Sequence, residues 1–285
     1  MKIILDCDNT MGVPRCDVDD AMALLYLLGK KEADLLAVTT TFGNNDIDTV
    51  HRMTKQLLSD IGRADLPLYK GSAQADAQSE AGQNLARLAR EHRGELSILA
   101  VGSTTNLRSA YLNDPDFFDH LKQIVLMGGI TETLIVGNQQ MDELNLSVDH
   151  RSTLLMLEKA GKVSTMTGNH CLATLFTRKE FQQNLSGSPL GEYILEKTAY
   201  WFDYNERDYD LEGFYNWDIT SAIYLMRPDL FEDHWVEVAL CEQNLSKGLL
   251  LPPENADQKT ARINLPTIRD IAAFKKEAYQ ILGRS

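Results

Sequence analysis

Short apolar runs alternate with amphipathic stretches along most of the chain. Lys2–Leu5, Leu35–Thr41, Ser97–Val101, Gln123–Met127 and Val163–Thr167 each read as a strand, and Leu35–Thr41 has the composition of one buried on both faces. Between and after them, Asp20–Leu28, Ile47–Ile61, Thr105–Leu112, His150–Lys159 and Arg178–Leu185 show helical spacing of apolar positions. This order predicts an α/β fold: an open, mainly parallel sheet with helices on both faces. Beyond Gly187 the pattern changes to an aromatic-rich region. His234–Cys241, Gly248–Leu251 and Ala261–Asn264 read as further strands there, and Asp270–Leu282 as a closing helix. No repeat, low-complexity tract or proline-rich linker divides the chain, so residues 1–285 are expected to form a single domain, with the aromatic region around 198–217 as a lid.

In a sheet of this kind ligands bind beyond the carboxyl ends of the strands. The residues that follow the predicted strands are Asp6–Asp8, Phe42-Gly43-Asn44, Gly102–Asn106, Gly128-Gly129 and Gly168-Asn169. Carboxylates, amides, hydroxyls and glycines thus collect on one rim.

Composition narrows the ligand. The 285 residues are 44% hydrophobic and carry a formal net charge of −13, which suits a soluble protein that binds a small neutral molecule or a cation. Such a charge disfavours nucleic acid and anionic membrane as partners. Lys2-Ile-Ile-Leu-Asp6 is too short for the apolar core of a signal peptide, so a cytoplasmic location is expected. Cys7, Cys16, Cys171 and Cys241 lack metal-site spacing and read as free thiols.

Five aspartates, Asp6, Asp8, Asp17, Asp19 and Asp20, fall within LDCDNTMGVPRCDVDD. One aspartate before a helix is an ordinary N-cap. Several on one loop repel one another unless a cation compensates them, and an all-oxygen donor set suits Ca²⁺ or Mg²⁺ rather than zinc. Asp6-Cys-Asp8-Asn9-Thr10 resembles the nucleophile motif of Mg²⁺-dependent dehalogenase-type phosphatases, yet Gly168-Asn-His-Cys follows the later strand where that family places acids.

A second resemblance runs the length of the chain. Asp6-x-Asp8 … Asp19-Asp20-Ala-x-Ala-Leu, Val38-Thr-Thr-Thr-Phe-Gly-Asn44, Gly102-Ser-Thr-Thr-Asn106, Ile124-Val-Leu-Met-Gly-Gly129, Gly137-Asn138 … Glu143-Leu-Asn145 … Asp149 and Trp217-Asp218 resemble, in order, the motifs of the inosine-uridine-preferring nucleoside hydrolases. The resemblance implies a Rossmann-like nucleoside hydrolase fold and Ca²⁺-dependent hydrolysis of ribonucleosides to free nucleobase and ribose. It implies Ca²⁺ ligands at Asp8, Asp20, the Val101 carbonyl and Asp218, with Asp8 as general base and Asp6 supporting them. It places Asp19, Asn44, Asn138, Glu143 and Asn145 on the ribose, Met127 beneath the sugar and Trp217 against the base, in a homodimer or homotetramer.

Singly, these residues have plainer readings. Asn44 and Asn138 follow glycines as turn residues do, Asp218 could cap a helix, Glu143 could flank one, and Met127 could be core. Two features depart from the family. Ten residues separate Asp8 from Asp19, lengthening the loop at Asn9–Cys16 and leaving open whether Asp17 contacts a ligand or solvent. Trp217 stands where many members carry a histidine that protonates the leaving base, and His170 is the foremost of the remaining histidines. The second departure keeps alive a non-catalytic ribose- or nucleoside-binding protein beside the phosphatase.

Overall fold

Strand β1 (Lys2–Cys7) sends Ile3, Leu5 and Cys7 into one apolar cluster and Ile4 into another, so both faces of its sheet need covering. In the computed structural model, which describes residues 1–75 and 77–284, alternation supplies that cover. After β1 come α1 (Asp19–Gly29), β2 (Asp34–Thr40), α2 (Ile47–Asp60), β3 (Leu68–Lys70), α3 (Glu80–Glu91), β4 (Leu96–Ala100), α4 (Thr105–Asn113), α5 (Phe117–His120) and β5 (Gln123–Met127). A hairpin, β6 (Leu134–Val136) and β7 (Gln139–Met141), precedes α6 (His150–Lys159), β8 (Val163–Met166) and the short α7 (Gly168–Cys171). Then follow β9 (Leu175–Thr177), α8 (Arg178–Leu185), the long α9 (Pro189–Tyr209), β10 (Gly213–Tyr215) and α10 (Trp217–Met226). The chain closes through β11 (Phe231–Glu232), β12 (Trp235–Ala239), α11 (Glu242–Leu245), β13 (Thr260–Asn264), β14 (Thr267–Ile268) and α12 (Ile271–Leu282).

The main sheet has eight strands in the order β12-β13-β8-β5-β4-β1-β2-β3, and only the edge pair β12–β13 is antiparallel. From β1 the chain winds outward through β2 and β3, then returns to β4 and winds the other way. The order therefore reverses between β1 and β4, and the crevice of such a sheet opens at that point.

The expected strands and helices stand within a residue or two of their predicted bounds, with differences concentrated elsewhere. Gly248–Leu251 is not a strand: it makes one isolated bridge, Leu249 with Ile130. Between Ile61 and Ser97, where the sequence pattern suggested no element, lie β3 and α3. Helix α3 escapes notice because its buried face is built largely of Ala81, Ala86 and Ala89 around Leu85 and Leu88. The aromatic region also divides. Phe202 and Phe214 are core residues, 4.8 Å apart by ring centroid and each packed on Phe181, whereas Trp201 and Tyr204 stack on each other at 5.1 Å along α9. Among the described residues no helix is long and apolar enough to cross a membrane.

A buried ionic cluster fixes the two helices that matter most to the rim. Glu277 on α12 accepts hydrogen bonds from the Tyr26 hydroxyl (2.9 Å), Lys30 (3.0 Å) and Arg227 (2.8 Å). Lys30 and Arg227 are the C-cap residues of α1 and α10, where a cation also suits the helix dipole. One carboxylate thereby ties together the C-terminal ends of α1 and α10, whose N-termini carry Asp19, Asp20 and Asp218. Replacing Glu277 by Gln leaves two cations under-compensated and is expected to cost about 3 kcal/mol in urea unfolding at neutral pH. These partners hold the Glu277 carboxyl below its ordinary range despite burial. Its contribution is therefore present above the unfolded carboxylate range and lost as pH falls through the folded value, so wild type and Glu277→Gln should converge only in acid below that folded value.

Candidate active site

Beyond β1 the chain brings Asp8 into the crevice between β2 and β4. Two glycines make room for it. A Cβ on Gly43 would stand 2.1 Å from Asp8 Oδ2, and one on Gly102 2.9 Å from Asp8 Oδ1, so only glycine at both strand ends lets this carboxylate sit between them. Asp8 Oδ2 accepts the Asn44 N–H at 2.7 Å, while Oδ1 is buried without a hydrogen-bond partner. Behind it Asp6, also fully buried, accepts from Thr39 Oγ1 (2.6 Å) and Asn106 Nδ2 (2.8 Å) and keeps Oδ2 unpartnered.

The aspartates at the start of α1 do not cap that helix, whose N-cap is Val18. Asp20 Oδ1 accepts the Asp8 N–H at 2.9 Å, and its Oδ2 is another buried oxygen without a partner. Asp19 Oδ2 accepts the N–H groups of Trp217 (3.0 Å) and Asp218 (3.3 Å). Asp19 thus serves the N-terminus of α10, where Asn216 at the N-cap makes no side-chain cap. Asp17, left undecided by the sequence, accepts from Thr10 Oγ1 (3.1 Å) and Asn44 Nδ2 (3.0 Å) and faces the cavity.

Six carboxylates are thereby crowded together, and among the described residues no lysine or arginine is one of their hydrogen-bond partners. Burial, then the Asp17 charge, pushes the Asp8 carboxyl up to about 7. Burial and the neighbouring carboxylates raise Asp19, Asp20 and Asp218 well above the usual aspartate range, and burial raises Asp17 to about 6 and Asp6 to about 7. Asp17, Asp19 and Asp20 each bring an oxygen to within 4.8 Å of the others. Buried, unpartnered carboxylate oxygens in an all-oxygen cluster are the donor set of a hard divalent cation, so the residues fit such an ion.

Through Asp17, Asp19 and Asp218 the cluster forms the floor of a cavity of about 500 Å³. Asp17, Asp19, Asn44, Val101, Met127, Glu143, Asn145, Trp217 and Asp218 all line it. The strand-end rule is met by Asn44, Val101, Met127, Gly129 and Gly168 on its wall. Asn145 Nδ2 donates to the carbonyls of Val101 (2.9 Å) and Met127 (3.0 Å), bridging the ends of β4 and β5. The Glu143 carboxylate accepts three backbone N–H groups, from Gly129 (3.0 Å), Leu146 (2.8 Å) and Ser147 (2.9 Å), so it braces the loop that carries Asn145.

Asp6, Asp8 and Asp20 lie in the buried cluster without reaching the cavity wall, and two further expected residues stand elsewhere altogether. Asn138 is exposed at the turn of the β6–β7 hairpin, where its N–H meets the Tyr209 carbonyl at 3.3 Å, and it is not on the cavity wall. His170 donates through Nδ1 to the Pro266 carbonyl at 3.0 Å and is likewise off the wall. The hairpin instead contributes the polar Gln140 and, with Ile130, an apolar wall of Leu134 and Met141 that sequence reasoning missed because it identified no hairpin there.

Comparison with known proteins bears on the family and the fold. The family described as inosine-uridine preferring nucleoside hydrolase matches residues 3–276. A probable uridine nucleosidase 2 of Arabidopsis thaliana is 25% identical, over 88% of this chain and 85% of that protein. Among solved structures, a plant nucleoside hydrolase superposes over 100% of this chain and 99% of its own with a TM-score of 0.87 at 22% identity. A purine-preferring ribonucleoside hydrolase from Gardnerella vaginalis does so over 99% and 98% with a TM-score of 0.85 at 20% identity. A match that runs from β1 into α12 takes in every strand end that builds the carboxylate floor, and this chain belongs to the inosine-uridine preferring nucleoside hydrolase family, enzymes that cleave the N-glycosidic bond of nucleosides.

Proposed function

We propose that the cavity binds a ribonucleoside with the sugar over the carboxylate floor and hydrolyses it in a Ca²⁺-dependent reaction. The observation that carries this reading is the pair of buried, unpartnered oxygens, Asp8 Oδ1 and Asp20 Oδ2, in a carboxylate cluster whose Asp17, Asp19 and Asp218 line the same cavity as Asn44, Asn145 and Met127. Asp8, Asp20, Asp218 and the Val101 carbonyl would hold the ion, with Asp17 beside them. Such an ion, when bound, makes a neighbouring water more acidic and grips a vicinal diol.

The chain's own groups do the rest. Asp8, fixed by the Asn44 N–H and the two glycines, takes the proton of the attacking water. Asp19 and Asn44 offer acceptor and donor atoms to ribose hydroxyls, and Asn145, whose Nδ2 is tied to two carbonyls, offers its Oδ1. Glu143 acts on the sugar through the loop it braces. As the glycosidic bond breaks, positive charge grows on the ribosyl ring, and the carboxylates stabilise it where water cannot. Met127 supplies the apolar floor, and Trp217 the aromatic wall against the base. A site that pairs ribose hydroxyls discriminates against sugars lacking one, so 2-deoxyribonucleosides are expected to be turned over at least ~100-fold less efficiently.

Ribose release from inosine, uridine and nitrophenyl riboside, with and without chelator, tests the reading; phosphate release from nitrophenyl phosphate without ribose release would overturn it. Saturating Ca²⁺ should raise stability, by about 2.7 kcal/mol at a hundred times its Kd, and chelation should remove that gain in a thermal melt. In calorimetry Asp8→Ala and Asp218→Ala are expected to lose Ca²⁺ binding together with turnover. Gly43→Ala should lower Ca²⁺ affinity by about ten-fold or more through displacement of the Asp8 carboxylate alone. Glu143→Ala, by contrast, should retain Ca²⁺ but raise KM for inosine, because three backbone amides lose their acceptor and the Asn145 loop loosens.

A further inference from the structure

The cavity is one-sided in charge. Asp17, Asp19, Asp142, Glu143 and Asp218 line it, and among the described residues on its wall there is no lysine, arginine or histidine. Lys247 belongs to an adjoining recess, with Ser147 and Ser246. The cavity's titratable groups are thus all carboxylic acids. The wall therefore offers no cationic acid to a departing base. What it does offer is Trp217, tilted against Tyr215 at 5.2 Å, and an exposed carboxylate at the mouth, Asp142.

A neutral nucleobase leaves as an anion unless it receives a proton, and a cavity dense in carboxylates opposes an anion. A base with a positive charge on the glycosidic nitrogen has the opposite requirement. When its C1′–N bond breaks, the electron pair goes to nitrogen and cancels the charge, so the base departs neutral. Water supplies the oxygen of the new C1′–O bond and gives one proton to Asp8, which passes it to solvent. The products are ribose, a neutral base and one proton, with no proton donor to the base. The features that hinder a neutral base also attract a cation: the indole face is the strongest aromatic partner of a positive charge, and the carboxylates add to it.

Resting on the hydrolase reading above, we infer that the preferred substrates of this chain are cationic ribonucleosides, those with a pyridinium-type base whose positive charge sits at the glycosidic nitrogen. Nicotinamide riboside is the probe, compared with inosine and uridine by ribose release in the presence of Ca²⁺. Its KM should be at least ~10-fold lower than either. Because a pyridinium also departs more readily in water, a second measurement isolates the charge: the uncharged 1,4-dihydro form of the same riboside, as a competitive inhibitor, should have a Ki at least ~10-fold above that KM. Trp217→Leu and Asp142→Asn should each reduce the ratio of neutral to cationic KM by about 3-fold or more. A KM for nicotinamide riboside equal to or above that of inosine or uridine, an equally tight dihydro form, or a ratio unmoved in both variants would overturn the inference while leaving the hydrolase reading intact. Ribose release from none of the three would instead remove the hydrolase reading itself.

Discussion

The structure is organised around the mutual repulsion of buried carboxylates at the reversal point of the sheet. Asp6, Asp8, Asp19, Asp20 and Asp218 are nearly inaccessible to water, and Asp17 joins them at the edge. Bringing so many acids together in a weakly screened interior is costly, and protein cations do not offset it. Backbone amides do so in part: Asn44 N–H on Asp8, Asp8 N–H on Asp20, and the first amides of α10 on Asp19. Each donor comes from a strand end or helix start, where N–H groups lack partners of their own. The same geometry satisfies both sides, leaving an oxygen unpaired on each of Asp6, Asp8 and Asp20. A cation among such oxygens would relieve the repulsion, and on the proposed function ion binding and catalytic geometry are the same requirement.

Much of this was legible in the sequence because it is local. The strands and helices with simple periodicity, the ligand-type residues at strand ends and the order of the family motifs need only neighbours along the chain to be recognised. Helix α3 was illegible because an alanine face gives little contrast with its flanks. The hairpin β6–β7 was illegible because each of its strands is only three residues long. Side-chain roles were less readable than positions. Asp19 before an apolar helix reads as a cap for that helix, yet its carboxylate serves α10, almost two hundred residues later in the chain. Glu143 has the residue type of a sugar ligand, but its oxygens go to three amides. Sequence states which groups are present; only tertiary packing states which donors have already claimed them.

The lengthened loop Asn9–Cys16 illustrates the same point. Its residues turn back on themselves through Val13 N–H to Thr10 O (2.9 Å) and Cys16 N–H to Val13 O (3.2 Å). Thr10 within it holds Asp17, whose carboxylate faces the cavity. The loop is closed by a residue far away in sequence. The Tyr200 hydroxyl accepts the Gly12 N–H and donates to the Cys16 carbonyl, both at 3.1 Å, spanning the loop with one oxygen.

Tyr200 lies on α9, and the C-terminal residue of the same helix, Tyr209, receives the Asn138 N–H at the turn of the β6–β7 hairpin. Nine residues of helix, about 13 Å at the usual rise, therefore connect the loop that carries Asp17 to the hairpin that carries Leu134 and Met141. Those two segments form opposite chemical walls of the cavity, one acidic and one apolar. Phe202, buried on the same helix between the two contacts, fixes α9 to the aromatic core through Phe181 and Phe214. Helix α9 is thus joined at Tyr200 and Tyr209 to two different segments beside the cavity and packed on the aromatic core between those contacts. On the proposed function, one helix therefore supports both the segment that presents Asp17 and the hairpin that presents the apolar wall.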